Sequence, residues 1–517
     1  MTDLDAKVLA SLSTPDRVES RIGALEFTDG APARKSVETL YDHLDFYHAF
    51  SAYMTAFPAA STQAIRQGFL GIGVKDNQVL IFSKLMDSSS RFLTANADTV
   101  YYIAFVDLSK GPMVVETPPM ALGVFDDMWF QWIVDFGLPG PDRGAGRKFL
   151  LVPPDYDGPL PEGGFYVAHS RTNRAVMLGR SFMEDSDPAP TVATIKATTK
   201  IYPYQQGGPG TSVASILKGG LPLPAMPAKV PATKFVEGTG VTFNTIPPTD
   251  GRFFDTVNAL IQDEAVGAAD PEIVGHLTEI GIVKGKPFKP NARMRKILDE
   301  AAAVGNATSR ALFMDPRGEE DVAWYPDSAW VNLLVNAGYL FDRPIPEMTP
   351  KGMKPYPPTG ARLHDMRTFF FYGYTGITPA MAMRLTGIGS QYLVAFMDSK
   401  MKYLDGSKTY TIALPPKVPQ ARFWSLTLYD NQTRSMLVTP QRFPRAGSQS
   451  FPTSAAEANK DGSTTIHVGP ELPKGVAPGN WIQTAPGKGF FAILRLYSPL
   501  KPFFDKSWRI GEFELKS

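Results

Sequence analysis

The chain has 517 residues, too many for one hydrophobic core, so two or more packed domains are expected. Its 52 Lys and Arg against 51 Asp and Glu leave a net charge of +1, which excludes a global field that would steer nucleic acid or hold an acidic membrane surface. Hydrophobic residues at 43% and charged residues at 20% exclude wholesale disorder, and the lack of cysteine excludes disulfides, thiolate metal sites and cysteine nucleophiles.

In chain order, the first twenty residues, MTDLDAKVLASLSTPDRVES, carry charges throughout and lack an apolar signal core, so a cytoplasmic location is expected. Phe46 to Ile65 is too polar to span a bilayer, and no membrane partner is expected. Ser36 to Met54 has helical spacing, with Leu40, Leu44 and Tyr47 on the face expected to pack on the first domain and Pro58 closing the segment. From Asp98 the pattern becomes strand-like: TVYYIAFVDL, PMVVETP, MWFQWIVDF, RKFLLVP, GFYVAHS and NRAVMLGRSF, each punctuated by Pro or Gly. With 45 Gly and 46 Pro in the chain and no helix between these runs, an antiparallel sandwich or barrel is the expected form.

Thr191 to Ile201 has helical potential, and a Pro- and Gly-rich linker follows from GGPG at 207. FFDTVNALIQDEA, PEIVGHLTEIG, NARMRKILDEAAAVG and AWVNLLVNAGYL predict a helical insert between 253 and 340. Strands return from Thr409. In RFWSLTLYD, Phe423, Ser425, Thr427 and Tyr429 face one way, and Trp424, Leu426 and Leu428 the other. The expected domains are a helical segment (1–60), a first β-sandwich (61–205), a linker (206–250), a helical insert (251–345) and a second β-sandwich (346–517).

The six histidines form no HxH or HExxH pair, and His43 and His48 would lie about 140° apart on a helix, so no metal site is expected. Ser215 and Lys218 match SxxK without its companion motifs, and phosphate-binding and flavin fingerprints are missing, so no cofactor is expected. Gly144, Gly146, Arg147 and Lys148 have the composition of an anion nest, or more simply of a hairpin turn. Polar residues inside strong strands say more, because burial without partners is costly. Asn96, Asp98, Thr99 and Tyr101 form one set, Asp126, Asp127, Gln131 and Asp135 a second, and Arg422, Tyr429, Asp430, Arg442, Arg495 and Tyr497 a third. They suit proton transfer or the anchoring of a carboxylate, or else the tying of turns and strand ends, which is the simpler reading for most.

TANADTVYYIAFVDLSKGPMVVETPP, WFQWIVD and GRKFLLVPPDYDG resemble the bacterial domain of unknown function 1254. RFWSLTLYDNQT, DGSTTIHVGPELP and NWIQTAPGKGFFAILRLYSP resemble the domain of unknown function 1214, which commonly follows it. The resemblance implies a mainly β fold with α insertions, two jelly-roll-like antiparallel sandwiches joined by a helical region, and a homotetramer. It brings no settled catalytic residues. Asn96, Asp98, Tyr101, Arg422, Trp424, Tyr429, Arg442 and Arg495 are candidates because they match its motifs, with Asp98 as base, Tyr101 as proton donor and Arg422 or Arg495 as anion anchor. Two functions stay open: a homo-oligomer with a small-molecule pocket, a hydrolase or lyase of a hydrophobic or carboxylated compound, or a non-enzymatic assembly protein built from capsid-like jelly rolls.

Overall fold

The computed structural model describes residues 3–206, 208, 230–317, 322–332, 334, 338–343, 348–349, 352–353, 361–383 and 385–516. Ser215 and Lys218 of the SxxK match, most of the linker and part of AWVNLLVNAGYL lie outside the described residues. The chain is a mixed α and β protein dominated by several open sheets.

In the first β unit a six-stranded sheet runs in the spatial order Phe235–Glu237, Val79–Ile81, Val100–Asp107, Arg174–Ser181, Ala121–Asp127, Trp132–Gly137. It faces a four-stranded sheet of Tyr166–His169, Lys148–Val152, Met113–Glu116 and Lys200–Pro203. The period of two decides which side chains meet. Tyr102, Ala104 and Val106 point inward against Val115, Phe149 and Leu151 of the other sheet, while Ile103 and Phe105 point away from it. Pairing is mostly antiparallel, yet Phe235–Glu237 lies parallel to Val79–Ile81, and Tyr166–His169 parallel to Lys148–Val152.

The second unit repeats the scheme. A five-stranded sheet, Trp330–Val331, Ser390–Ala395, Phe490–Pro499, Gln420–Asp430, Arg445–Gly447, faces Trp481–Gln483, Thr464–Gly469, Tyr410–Leu414 and Glu514–Leu515. Trp424, Leu426 and Leu428 fill its interior, as the alternation of RFWSLTLYD predicts, and Tyr429 faces out. Trp330 and Val331, predicted helical, instead pair as strand with Ala395 and Val394, where a sheet edge supplies the partners that a short helix would lack.

The outer faces of the two large sheets, Ile103, Phe105 and Val176 from one and Val394, Phe491 and Ile493 from the other, share a single core with helices Arg34–Thr55, Phe57–Gly71, Arg252–Asp263, Ala292–Met314 and His364–Gly373. Two expectations fail here. Leu44 and Tyr47 are exposed, and the buried face of their helix is the small-residue side, Ala49 and Ala52, with Tyr53. Pro58 opens the next helix rather than ending the first, because the first turn needs no amide from it.

The units are joined by a short segment of the first, Thr94–Asp98, which inserts polar groups into the outer face of the second unit's large sheet. Arg445 Nε lies 2.8 Å from Asp98 Oδ1, with both side chains fully buried. Ser425 Oγ and Tyr497 Oη donate to Asp98 Oδ2 at 2.6 and 3.0 Å, and Asn96 Nδ2 donates to Tyr497 Oη at 2.6 Å. Tyr429 Oη donates to the Ala95 carbonyl at 2.6 Å, and Arg495 Nη2 to that of Thr94 at 3.1 Å.

Removing one partner of such a buried pair strands the other's charge. We therefore expect Asp98→Asn and Arg445→Met each to lower unfolding free energy by about 3–5 kcal/mol in urea denaturation. A loss below about 1 kcal/mol, the range of a surface pair, would remove this account of the joint.

Candidate functional site

A cavity lies where the two units meet. Its floor is the outer face of the six-stranded sheet, with Tyr101, Ile103, Leu122, Val124, Asp135, Leu178 and Arg180. Its roof is Tyr374 to Tyr392, including Gly376, Thr378, Met381, Ile388 and Ser390, and Arg495 closes one end. Its volume, open mouth included, is about 1060 Å³. Gly376 lets the roof lie on the floor: its φ is +72°, and a Cβ there would stand 2.4 Å from Leu178 Cδ1.

Strand register sorts the floor into rows. Ile103, Leu178, Val124 and Asp135 are lateral neighbours across four strands, and Tyr101, Arg180 and Leu122 form the adjacent row on the same face. Arg180 donates to Tyr392 Oη at 2.9 Å and Ser390 Oγ at 2.8 Å. Among the described residues it pairs with no carboxylate, and its electrostatic neighbours are Tyr392, Tyr101 and Tyr497. Arg495 is buried, sits 5.6 and 5.5 Å from the Tyr392 and Tyr429 ring centroids, and leaves Nη1 without a partner among the described residues. Tyr374 Oη is likewise buried and unpartnered.

Burial raises the Tyr392 phenol, but the Arg180 and Arg495 guanidiniums outweigh it and hold the group below its ordinary value. At the other end, burial pushes the Asp135 carboxyl up to about 7 against hydrogen bonds from Thr378 and Trp132. Asp126, bonded by the Ile377 amide at 2.8 Å behind the roof, is likewise raised by burial. The cavity is therefore cationic at one end, carries the Asp135 carboxyl at the other, and is mostly apolar between. Among the described residues no group of three or more His, Asp or Glu could hold a metal ion, and no helix is long and apolar enough to cross a membrane.

Residues 77–203 match the model described as protein of unknown function (DUF1254), and residues 389–501 match protein of unknown function (DUF1214). The chain carries these two domains in tandem. No curated protein matches it. The crystal structure of the VPA0106 protein from Vibrio parahaemolyticus, 18% identical, aligns over 92% of this chain and 100% of its own with a TM-score of 0.51, a likeness of fold. An uncharacterised protein from Burkholderia cenocepacia, 12% identical, aligns over 93% of this chain and 98% of its own with a TM-score of 0.34. The DUF1254 segment supplies the cavity floor and the DUF1214 segment supplies Ser390, Tyr392 and Arg495, while Tyr374 to Ile388 lie between the two matched segments.

Of the residues singled out from sequence, Asn96, Tyr101, Asp135 and Arg495 line this cavity. Asp98, the expected base, lies outside the lining and is bound up with Arg445, Ser425 and Tyr497. Tyr429 stands behind Arg495, and Trp424 fills the second interior. Arg422 is exposed over the Phe182 ring at 4.2 Å, and Arg442 pairs with Asp87. Asp127 ties a turn: its Oδ1 accepts from the Trp129 and Gln131 amides at 2.8 and 2.9 Å. The glycine nest is filled from within, since Asp142 accepts from the Gly137 and Gly146 amides. Sequence reasoning overlooked Arg180, Tyr374, Thr378 and Tyr392. Arg180 carried the needed signal, a cation alternating with Val176 and Leu178 in a strong strand.

For Asp135 the folded value exceeds the ordinary 3.8, so the folded state holds the proton more tightly. The stability this provides is complete below about pH 4 and is lost as pH rises through about 7, up to about 4 kcal/mol. Urea midpoints across this window should fall faster with pH for the wild type than for Asp135→Asn; parallel curves would mean that the carboxyl titrates normally.

Proposed function

We propose that the cavity is a small-molecule site for a largely apolar compound bearing a carboxylate, and that the chain is a lyase or hydrolase acting on it. The observation that carries this reading is the buried Arg495, which lines the cavity together with Tyr374 and Arg180 and whose Nη1, like Tyr374 Oη, has no hydrogen-bond partner among the described residues. A buried guanidinium hydrogen without an acceptor is costly, and a carboxylate supplies charge and lone pairs together. Two groups with displaced proton affinity, Asp135 raised to about 7 by burial and Tyr392 held below its ordinary value by the two guanidiniums, favour proton transfer and hence the lyase class. In the same proposal the two facing-sheet pairs are jelly-roll-like sandwiches and the chain assembles as a homotetramer.

The test compares medium-chain and aryl carboxylates with their methyl esters, by calorimetry and thermal shift. Carboxylates should bind and raise Tm, esters should not, and Arg495→Met or Arg180→Met should weaken binding about 10- to 100-fold, the range for a hydrogen bond to a charged group. Arg422→Ala, outside the cavity lining, should leave binding unchanged. Equal behaviour of acids and esters, or no binding by any acid, would overturn the reading and favour an assembly protein.

A further inference from the structure

The far end of the cavity is built for something besides a hydrocarbon tail. Asp135 is a carboxyl set among Val124, Leu178 and Met381, and among the described residues it has no cationic partner. Placing a carboxyl on an apolar wall is costly unless its hydrogen-bonding capacity is used. Thr378 Oγ1 donates to Oδ1, that hydroxyl being itself committed by the Ala380 amide at 3.1 Å, and the Trp132 side chain is a second donor, so a ligand would meet the carboxyl's remaining lone pairs and its proton.

The distance between the ends follows from the register. Asp135 pairs with Val124, which pairs with Leu178, while Arg180 lies two residues further along that strand. Two strand spacings of about 4.8 Å across and two residues of about 3.4 Å along put the two Cα atoms about 12 Å apart. Both side chains project from the same face, and Ile103, Leu122, Val124 and Leu178 lie on the floor around and between them.

We infer that the compound this cavity takes is bipolar, with a carboxylate at the Arg180–Arg495 end and a hydroxyl at the Asp135–Thr378 end, joined by an apolar spacer. This rests on the reading of the cavity as a carboxylate site. The spacer must bridge two fixed anchors, so affinity depends on its length with an optimum, whereas a plain fatty acid gains steadily with each added methylene. The hydroxyl both donates to and accepts from the Asp135 carboxyl, which a terminal methyl cannot do.

The experiment measures binding to the full chain of ω-hydroxy carboxylates from hexanoate to dodecanoate and of the matching unsubstituted acids. One member of the hydroxy series should bind about 10-fold better than its unsubstituted counterpart, as expected for one buried hydrogen bond to a polar partner. Asp135→Asn, which keeps a donor and an acceptor, should retain most of that preference, and Asp135→Leu should abolish it while still binding the plain acid. If unsubstituted acids bind as well as hydroxy acids at every length, this inference falls and the carboxylate site stands. If neither series binds, both fall. Because the comparison between ligands is made on the wild type, a poorly folded variant does not decide the outcome.

Discussion

The structure depends on one buried electrostatic contact between its halves. Asp98 belongs to the first β unit, yet its charge is met by Arg445 and its second oxygen by Ser425 and Tyr497, all from the second. An ionised carboxylate that far from water is tolerable only with a cation and donors already in place, so the first unit cannot shift without exposing or stranding a charge. The neighbouring contacts, Tyr429 to the Ala95 carbonyl and Arg495 to the Thr94 carbonyl, are backbone-directed and fix the direction of the inserted segment as well as its position.

The cavity's character follows from how that one negative charge is shared. Arg445 and Arg495 both point toward the Thr94–Asp98 segment, but only Arg445 makes the ion pair. Arg495 is left with carbonyl and aromatic partners, and Arg180, reaching over from the first unit's sheet, finds phenols and a hydroxyl. Aromatic faces and phenolic oxygens satisfy a guanidinium in part, and Asp98, already paired with Arg445, acts on Arg495 without a direct ion pair. The same contact that locks the units together thus leaves two cations facing an enclosed apolar space, and those cations in turn bring Tyr392 below its ordinary range.

Much of this was legible in the residues. Period-two patterning identified strands such as Val100–Asp107 and Gln420–Asp430, and it placed Trp424 and Tyr429 on opposite faces. Polar residues inside strong strands picked out Arg495, Asn96 and Tyr101, three of the cavity's walls. What failed was the step from a polar residue to its partner. Asp98 and Tyr101 are three residues apart, yet Asp98 faces Arg445 and Tyr101 faces Arg180, because the partners come from other strands far along the chain. No local pattern distinguishes a carboxylate that will meet a cation from one that will meet a cavity. The roof was invisible for another reason: Tyr374 to Ile388 holds only one four-residue helix, Pro379–Ala382, so no periodic signal marks it.

That irregular roof is also where the arrangement can be tuned. The floor is tied by antiparallel ladders on both sides of Arg174–Ser181, and the Arg495 end by ladders on both sides of Phe490–Pro499. The roof is instead held onto the floor by side chains: Asp126 to the Ile377 amide, Asp135 to Thr378, and the close fit of Gly376 against Leu178. Each of the first two contacts involves a carboxyl whose proton burial holds more tightly than usual, Asp135 up to about 7. The roof therefore comes from the chain between the two matched domains, and the floor and the cationic end from residues within them.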